Sequence, residues 1–426
     1  MSGKLRTPPP TGLTTRTLLV ALLLISGTAG AWAQDPVFPD GIAIGDVTQE
    51  AAIVWTRLAG PGEVRVEVSS RPGFVGAHTG SARATAETDF TVKADVGGLQ
   101  PGQRYYARAL SNGLIGPAGT FVTASAREQD APLSLIWGAD TFESYQPFRV
   151  FQAMRGRNAD IFLYLGDTIY ADLGQPRATT LDEYRQKYRR NRQDAALRAY
   201  LASTSTWVVW DDHEVANNFS GEHPQLATGL RALLDYWPIR TPAGQPTRLY
   251  RSLRWGRTAE IFILDTRQYR SPSAAPDGPG KTMLGTAQKQ WLLDGLQRSG
   301  ATIKIVASSV ALRYASRDSW VGFARERDEI LRFIRDHQIR NVLFLAADVH
   351  YAALIQHPEG LHEAIAGPLA AFPASTARAA GRPGTLWADA GKSNYGWIRL
   401  APGEIIVGWW DDQNTLMHQA RIPFQR

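Results

Sequence analysis

The sequence predicts a two-part fold: an all-β sandwich of immunoglobulin or fibronectin type, then an α/β domain of layered sheets flanked by helices. Three observations carry this. Between about residues 38 and 123, short β-rich runs alternate with turns and no helical period appears. From residue 133 on, compact apolar runs alternate with amphipathic helical patterns. A polar stretch, 124–132, separates the two textures and ends in Pro132. With 426 residues, 44% of them hydrophobic and 20% charged, the chain suits two or three globular domains and excludes a disordered or fibrous protein.

Taken in order, the first element is a targeting segment. Lys4, Arg6 and Arg16 precede the apolar run 18–25, and Ala31-Trp32-Ala33 supplies a small-x-small terminus. This is the pattern of a Sec-type signal peptide over 1–33, cleaved after Ala33, and it places the mature protein in the periplasm or outside the cell. The apolar run falls short of the ~20 residues a membrane-spanning helix needs, so no stable membrane span is expected. Losing Lys4, Arg6 and Arg16 lowers the formal charge from +6 to +3, too small a bias to argue for nucleic-acid binding. The chain has no cysteine, which excludes disulfides, iron–sulfur clusters, zinc–thiolate sites and cysteine nucleophiles.

The sandwich domain is assigned to 37–124, with strands expected at 42–44, 52–57, 64–69, 90–96, 105–110 and 119–122 and turns at Pro61-Gly62 and Pro101-Gly102. The second domain, 132–426, has buried strands expected at 133–137, 161–165, 207–210, 260–264, 303–307 and 341–345. Helices are expected at 147–155, 181–200, 287–298 and 323–336, and surface loops at 225–229 and 271–279.

The chemical signal lies in the residues directly after the strands. The run 133–137 leads to Asp140, 161–165 to Asp167 and Tyr170, and 207–210 to Asp211, Asp212, His213 and Glu214, with Asn217 and Asn218 beyond. Likewise 260–264 ends at Asp265 and Arg267, and 341–345 at Asp348 and His350. Groups at the carboxyl ends of strands in open α/β sheets meet in one crevice. Carboxylates gathered there repel unless cations neutralise them, so the pattern points to a hard-cation or mixed metal site and to a metal-dependent hydrolase. Ser309 and Thr168 lie near strand ends, but no Gly-x-Ser-x-Gly elbow accompanies them, which disfavours a serine nucleophile.

The blocks LYLGDTIYAD (163–172), WVVWDDHEVANNF (207–219), ILDTRQYRS (263–271), QKQWLLDGLQRSGATIKIVASS (288–309), DSWVGFARERDEIL (318–331) and AADVHYA (346–352) resemble, in order, those of the PhoD-like alkaline phosphatases. That family belongs to the calcineurin-like metallophosphoesterases, and AIVWTR (52–57) with GLQPGQRYYARA (98–109) resembles its N-terminal domain. The resemblance implies a phosphoric ester hydrolase, cleaving phosphomonoesters or phosphodiesters with metal-activated water. It implies Asp167 as the aspartate bridging two metals and Tyr170 as a ligand of a ferric-type ion. Asp212 stands where the superfamily has a metal-binding Asn, and His213 beside it is the histidine facing the substrate, expected as proton donor to the leaving alkoxide or stabiliser of the transition state, its ring held by Glu214 or Asp211. Asn217 or Asn218 is implied as a calcium ligand, Asp348 and His350 as the closing ligands. Arg267 is a candidate for the phosphate oxygens or, equally, a partner of Asp265.

One departure stands out. PhoD-like enzymes commonly carry a cysteine thiolate ligand of iron in the first block, and here the corresponding residue is Asp140, with Phe142 where the superfamily has His. Fe3+ and Ca2+ are therefore the ions implied by resemblance, while the harder donor set also admits Mn2+ or Mg2+. The substrate is expected to be a small-molecule or polymeric phosphate ester. Alternatives on the same site are phosphodiesterase, phospholipase or phosphotriesterase specificity; outside it stands a secreted, non-catalytic binding protein.

Overall fold

The computed structural model describes Gly3 and residues 35–401 and 403–423; apart from Gly3, the expected signal segment lies outside the described residues. Parallel strands set the frame. Leu133–Gly138, Ile161–Tyr164 and Ser205–Val208 run side by side, parallel, at the centre of one sheet, and Ala259–Ile263, Ile303–Ala307 and Val342–Ala346 do the same in a second. These are the six strands expected from the compact apolar runs. All six are buried, as strands covered on both faces must be.

Side-chain alternation along the second sheet decides the layering. Ile261, Ile263, Ile305, Leu343 and Leu345 join Leu135, Trp137 and Leu163 of the first sheet in one core. Phe262, Val306, Val342 and Phe344 point the other way, onto Leu292 and Leu296 of helix Gly285–Arg298 and Ile330, Leu331 and Ile334 of helix Ala324–Asp336. Helices Arg149–Arg155 and Ala195–Leu201 cover the first sheet, where Phe151 and Tyr200 meet Phe162 edge-on. Tryptophans tie the sheets together: Trp137 Nε1 donates to the Ala346 carbonyl at 3.2 Å and Trp409 Nε1 to that of Ile365 at 2.7 Å.

The N-terminal strands also form two sheets, Ile42–Gly45, Ala52–Arg57 and Thr91–Val96 facing a four-stranded sheet of His78–Ala84, Gly62–Ser69, Arg104–Ser111 and Leu114–Val122. Their shared core contains Val54, Val66, Val68, Ala94, Ala107 and Phe121. The first of these sheets does not stop at the sandwich. Ile42–Gly45 pairs in parallel with Ser205–Val208, extending the large sheet.

Several elements differ from expectation, among them the strands His78–Ala84, Arg251–Trp255, Ala352–Gln356, His362–Ile365 and Thr385–Asp389, which were not expected. The helix expected over 181–200 is two, Leu181–Arg192 and Ala195–Leu201, because Asp194 caps the second through its side chain, 2.8 Å from the Leu197 amide. Residues 225–229, expected as a loop, open the helix Leu226–Tyr236, whose Leu230, Leu233 and Tyr236 are buried; packing of one face overrides the small-residue composition. The hairpins Asn394–Ala401, Glu404–Asp411 and Leu416–Ile422 were not expected. Gly396 there reads as a strand breaker, but a Cβ on it would sit 2.2 Å from the Trp137 ring, so its bareness is what lets the tryptophan lie flat against the strand.

Candidate functional site

The carboxyl ends of both parallel sets open on the same side, and the loops there are drawn tightly together. The Asp140 amide donates to the Gly166 carbonyl, Thr141 to Asp167 and Ala171 to His213. Asp140, Asp167, Asp348 and His350 all have positive φ, between 49° and 70°. A side chain in that region costs roughly 1–2 kcal/mol. Four such residues around one point are strain held in place by the packed sheets, as is common where geometry serves chemistry. Gly166, at φ 106°, has no room for a Cβ, which would lie 2.3 Å from the Asp211 amide nitrogen.

Three overlapping groups have ligand atoms within 4.8 Å of one another: Asp140, Asp167 and His350; Asp167, Asp212 and His213; and Asp211, Asp212 and Asp348. Asp167 links the first two and Asp212 the last two. Burial comes first in the electrostatics. It raises Asp140, Asp167, Asp211 and Asp348 above the ordinary carboxylate range, and their mutual repulsion adds to it. Asp212 runs the other way: burial opposes its charge, but Arg267, His213 and the Asn218 amide hold it low.

Both oxygens of Asp140, Oδ2 of Asp211, Oδ1 of Asp212 and the Tyr170 hydroxyl are buried and have no hydrogen-bond partner. Orphaned acceptors of this density are costly in a folded interior. They fit cations: the donors are carboxylates, a phenol and imidazoles, the set that hard or borderline ions take. Tyr170 stacks on His213 at 4.3 Å between ring centroids, and Phe142 lies against Tyr170 at 5.2 Å.

His213 is held differently from the expectation. Its Nδ1 is 2.6 Å from Asp172 Oδ1, whose other oxygen accepts from the Asn217 amide. Asp172, not Glu214 or Asp211, fixes the ring. Burial alone lowers the imidazole's pKa, but Asp212 and Asp172 bring it up to about 9. Glu214 braces the loops instead, accepting from the amides of Asp167, Thr168 and Asp211 and from the Thr168 hydroxyl.

The Arg267 side chain takes acidic partners other than Asp265. It is wholly buried, with Nε 2.5 Å from Asp211 and Nη1 2.7 Å from Asp318, and Nη2 lies 3.8 Å from Asp212 and 3.9 Å from Asp348. Enclosed in this way it offsets the charge of these carboxylates, with Nη2 left without a hydrogen-bond partner; the Asp265 side chain is taken by Trp210 Nε1 and by backbone amides. Asn217 and Asn218 are exposed at the edge. With its nitrogen toward Asp318, the Asn218 amide donates to that carboxylate and accepts from Asn217.

The sequence reading missed Asp172, Asp318 and the bracing role of Glu214. Asp172 ends the same block as Asp167, and Asp318 opens another, but neither comes directly after an apolar strand, which was the signal used.

The family described as PhoD-like phosphatase matches residues 136–380, more than half of the chain, and that family's N-terminal domain matches 26–125. The chain belongs to the PhoD-like phosphatase family. Alkaline phosphatase D of Bacillus subtilis (strain 168) is 29% identical over 375 residues; the match covers 74% of this chain and 64% of that relative's length. Among solved structures, one of PhoD superposes with a TM-score of 0.82 at 22% identity, covering 92% of this chain and 94% of the other. A purple acid phosphatase from yellow lupin seeds superposes at 0.64 with 13% identity, covering 91% and 75%. These two likenesses establish the fold. Among the described residues of this PhoD-like chain, no helix is long and apolar enough to cross a membrane.

Proposed function

We propose that this protein is a metal-dependent phosphoric ester hydrolase of the alkaline phosphatase D type, exported through the signal over 1–33 and acting on phosphomonoesters or phosphodiesters. The observation that carries the reading is the buried set of partnerless carboxylate oxygens shared through Asp167 and Asp212. The curated relative's name, alkaline phosphatase D, agrees with it.

In this reading Asp140, Asp167, Tyr170 and His350 hold one ion, and Asp167, Asp212, Asp348 and Asn217 contribute to a second. Bound there, such cations supply Lewis acidity toward phosphoryl oxygens and toward water. Iron and calcium are the ions of the resemblance; manganese or magnesium suits the same donors. The protein's own part is positional. Asp172 engages Nδ1 of His213, which leaves Nε2 for the substrate. Held in this way, His213 is placed to pass a proton from Nε2 to a leaving alkoxide. Arg267 offsets part of the negative charge below the ligands and keeps their carboxylates in place.

The test uses chelator-stripped protein reloaded with Fe3+, Ca2+, Mn2+ or Mg2+, singly and in pairs, and assayed on matched mono- and diesters. Asp167→Asn should lose bound metal and turnover together; full turnover with that substitution would discard the reading. The ratio of monoester to diester rates decides between the specificities. Metal-free protein that no ion activates would favour a binding protein. Amino-terminal sequencing of exported protein should begin at Gln34.

A further inference from the structure

The rim of the metal-ligating cluster is aromatic and uncovered. Seven large hydrophobic side chains are exposed among the described residues, and the two aromatic ones, Tyr145 at 39% and Phe372 at 44%, sit together beside this site. Their rings meet edge-on at 5.4 Å. Phe372 stacks on Phe142 at 5.4 Å and meets the edge of Tyr170 at 5.9 Å. Tyr170 in turn stacks on His213. On its other flank Phe372 lies nearly parallel to the His350 ring, and its carbonyl oxygen is 2.7 Å from His350 Nδ1. Rings therefore continue from His213, beside the shared carboxylates, out to solvent in two steps.

Nothing in packing requires Phe372 to be aromatic on its open side. Its φ is 25°, on the positive side that side chains other than glycine seldom adopt. The backbone there is committed to holding His350, and the ring is left facing outward. With His213 serving the leaving oxygen, as proposed above, the exposed rings of Phe372 and Tyr145 are the aromatic surface two ring contacts away from it, through the buried Tyr170.

We infer that Tyr145 and Phe372 form a stacking subsite for a planar aromatic group on the leaving side of the ester. This rests on the phosphoesterase reading above. Offset and edge-to-face geometries, both available here, favour a flat ring over a saturated one of equal size. The preference expected from one aromatic pair is about 3- to 10-fold in kcat/KM, carried mostly by KM.

The metal-loaded enzyme is tested with 2-phenylethyl phosphate and 2-cyclohexylethyl phosphate, or with their methyl diesters if diesters are the better substrates. The two alcohols are close in acidity and size, so the ratio of rates isolates the flat ring. Simple hydrophobicity would favour the cyclohexyl ester, the opposite of stacking. The wild type should prefer the phenyl ester, and Tyr145→Ala and Phe372→Leu should each bring the ratio toward 1, whatever common loss they suffer. Leu416→Ala, exposed but outside the ring cluster, should keep the ratio. Hydrolysis of both esters at equal rates, or a preference that survives both substitutions, overturns the stacking subsite alone. Failure to hydrolyse either ester with any metal overturns the phosphoesterase reading and this inference with it.

Discussion

Replacing Glu214 by Gln changes one atom in a fully buried side chain, and the structure dictates what it costs. Oε1 accepts from the Thr168 amide at 2.6 Å and the Thr168 hydroxyl at 2.7 Å; Oε2 accepts from the amides of Asp167 at 3.1 Å and Asp211 at 2.9 Å. Glutamine must put an NH2 group in one of these positions. Placed at Oε1 it can donate to the hydroxyl, but the Thr168 N–H is then orphaned; placed at Oε2 it orphans two N–H groups. The better arrangement costs about 1–3 kcal/mol for the orphan, and losing charge assistance at the other oxygen brings the total to about 2–4 kcal/mol. Because the loosened loops carry Asp167, Asp211 and Asp212, metal affinity should also fall, by about 10- to 100-fold, as for other residues that orient ligands. Urea denaturation of chelator-stripped protein reads the first effect and calorimetric metal titration the second. A Gln variant with the parent's midpoint would mean that the carboxyl is already protonated, which burial favours, and that the four-donor account is wrong.

His213→Ala should lower kcat by about 10²–10⁴ while metal content by elemental analysis stays near that of the parent; loss of metal as well would make His213 a ligand. Asp172→Asn should cost less, about 10- to 100-fold, through kcat, since it only orients the ring. Gly166→Ala forces a Cβ to within 2.3 Å of the Asp211 nitrogen at a left-handed φ, and should cost about 2–4 kcal/mol or prevent folding, as read by soluble yield and thermal melting. Burial works against the Asp89 charge, but the Tyr236 hydroxyl, Arg57 and Arg189 hold its carboxyl below the ordinary 3.8. A depressed folded pKa contributes stability that is full above the unfolded value and lost as pH falls through the folded one. Melting temperature should therefore drop below about pH 4, and Asp89→Asn should be less stable at pH 7 but flatter across that window.

Much of the site was legible because strand ends are a local property. An apolar run met at once by Asp, with Tyr or His close behind, needs only the chain itself to be seen, and parallel strands bring such ends to one side of a sheet. The structure gathers Asp140, Asp167, Asp211, Asp212, His213, Asp348 and His350 from strand ends of this kind. The six buried strands were equally plain, since a strand covered on both faces has no alternation to misread. The edge hairpins and the helix Leu226–Tyr236 were not, because there Gly396 and the small residues answer to a neighbour far away in sequence.

By itself, then, the order of residues determined the layered α/β class with its all-β leader, the acidic strand ends and, through the missing cysteine, an oxygen-and-imidazole donor set. Only the folded chain decided which charge meets which. Arg267 turns inward to Asp211 and Asp318, which lie 56 and 51 residues away; Asp172 takes His213 across 41 residues; and the ring of Phe372 comes to rest beside Tyr145. Hydrogen bonds and ring contacts act over a few ångströms in space, whereas sequence patterns act over a few residues of chain. Where those two distances part, spacing carries no information.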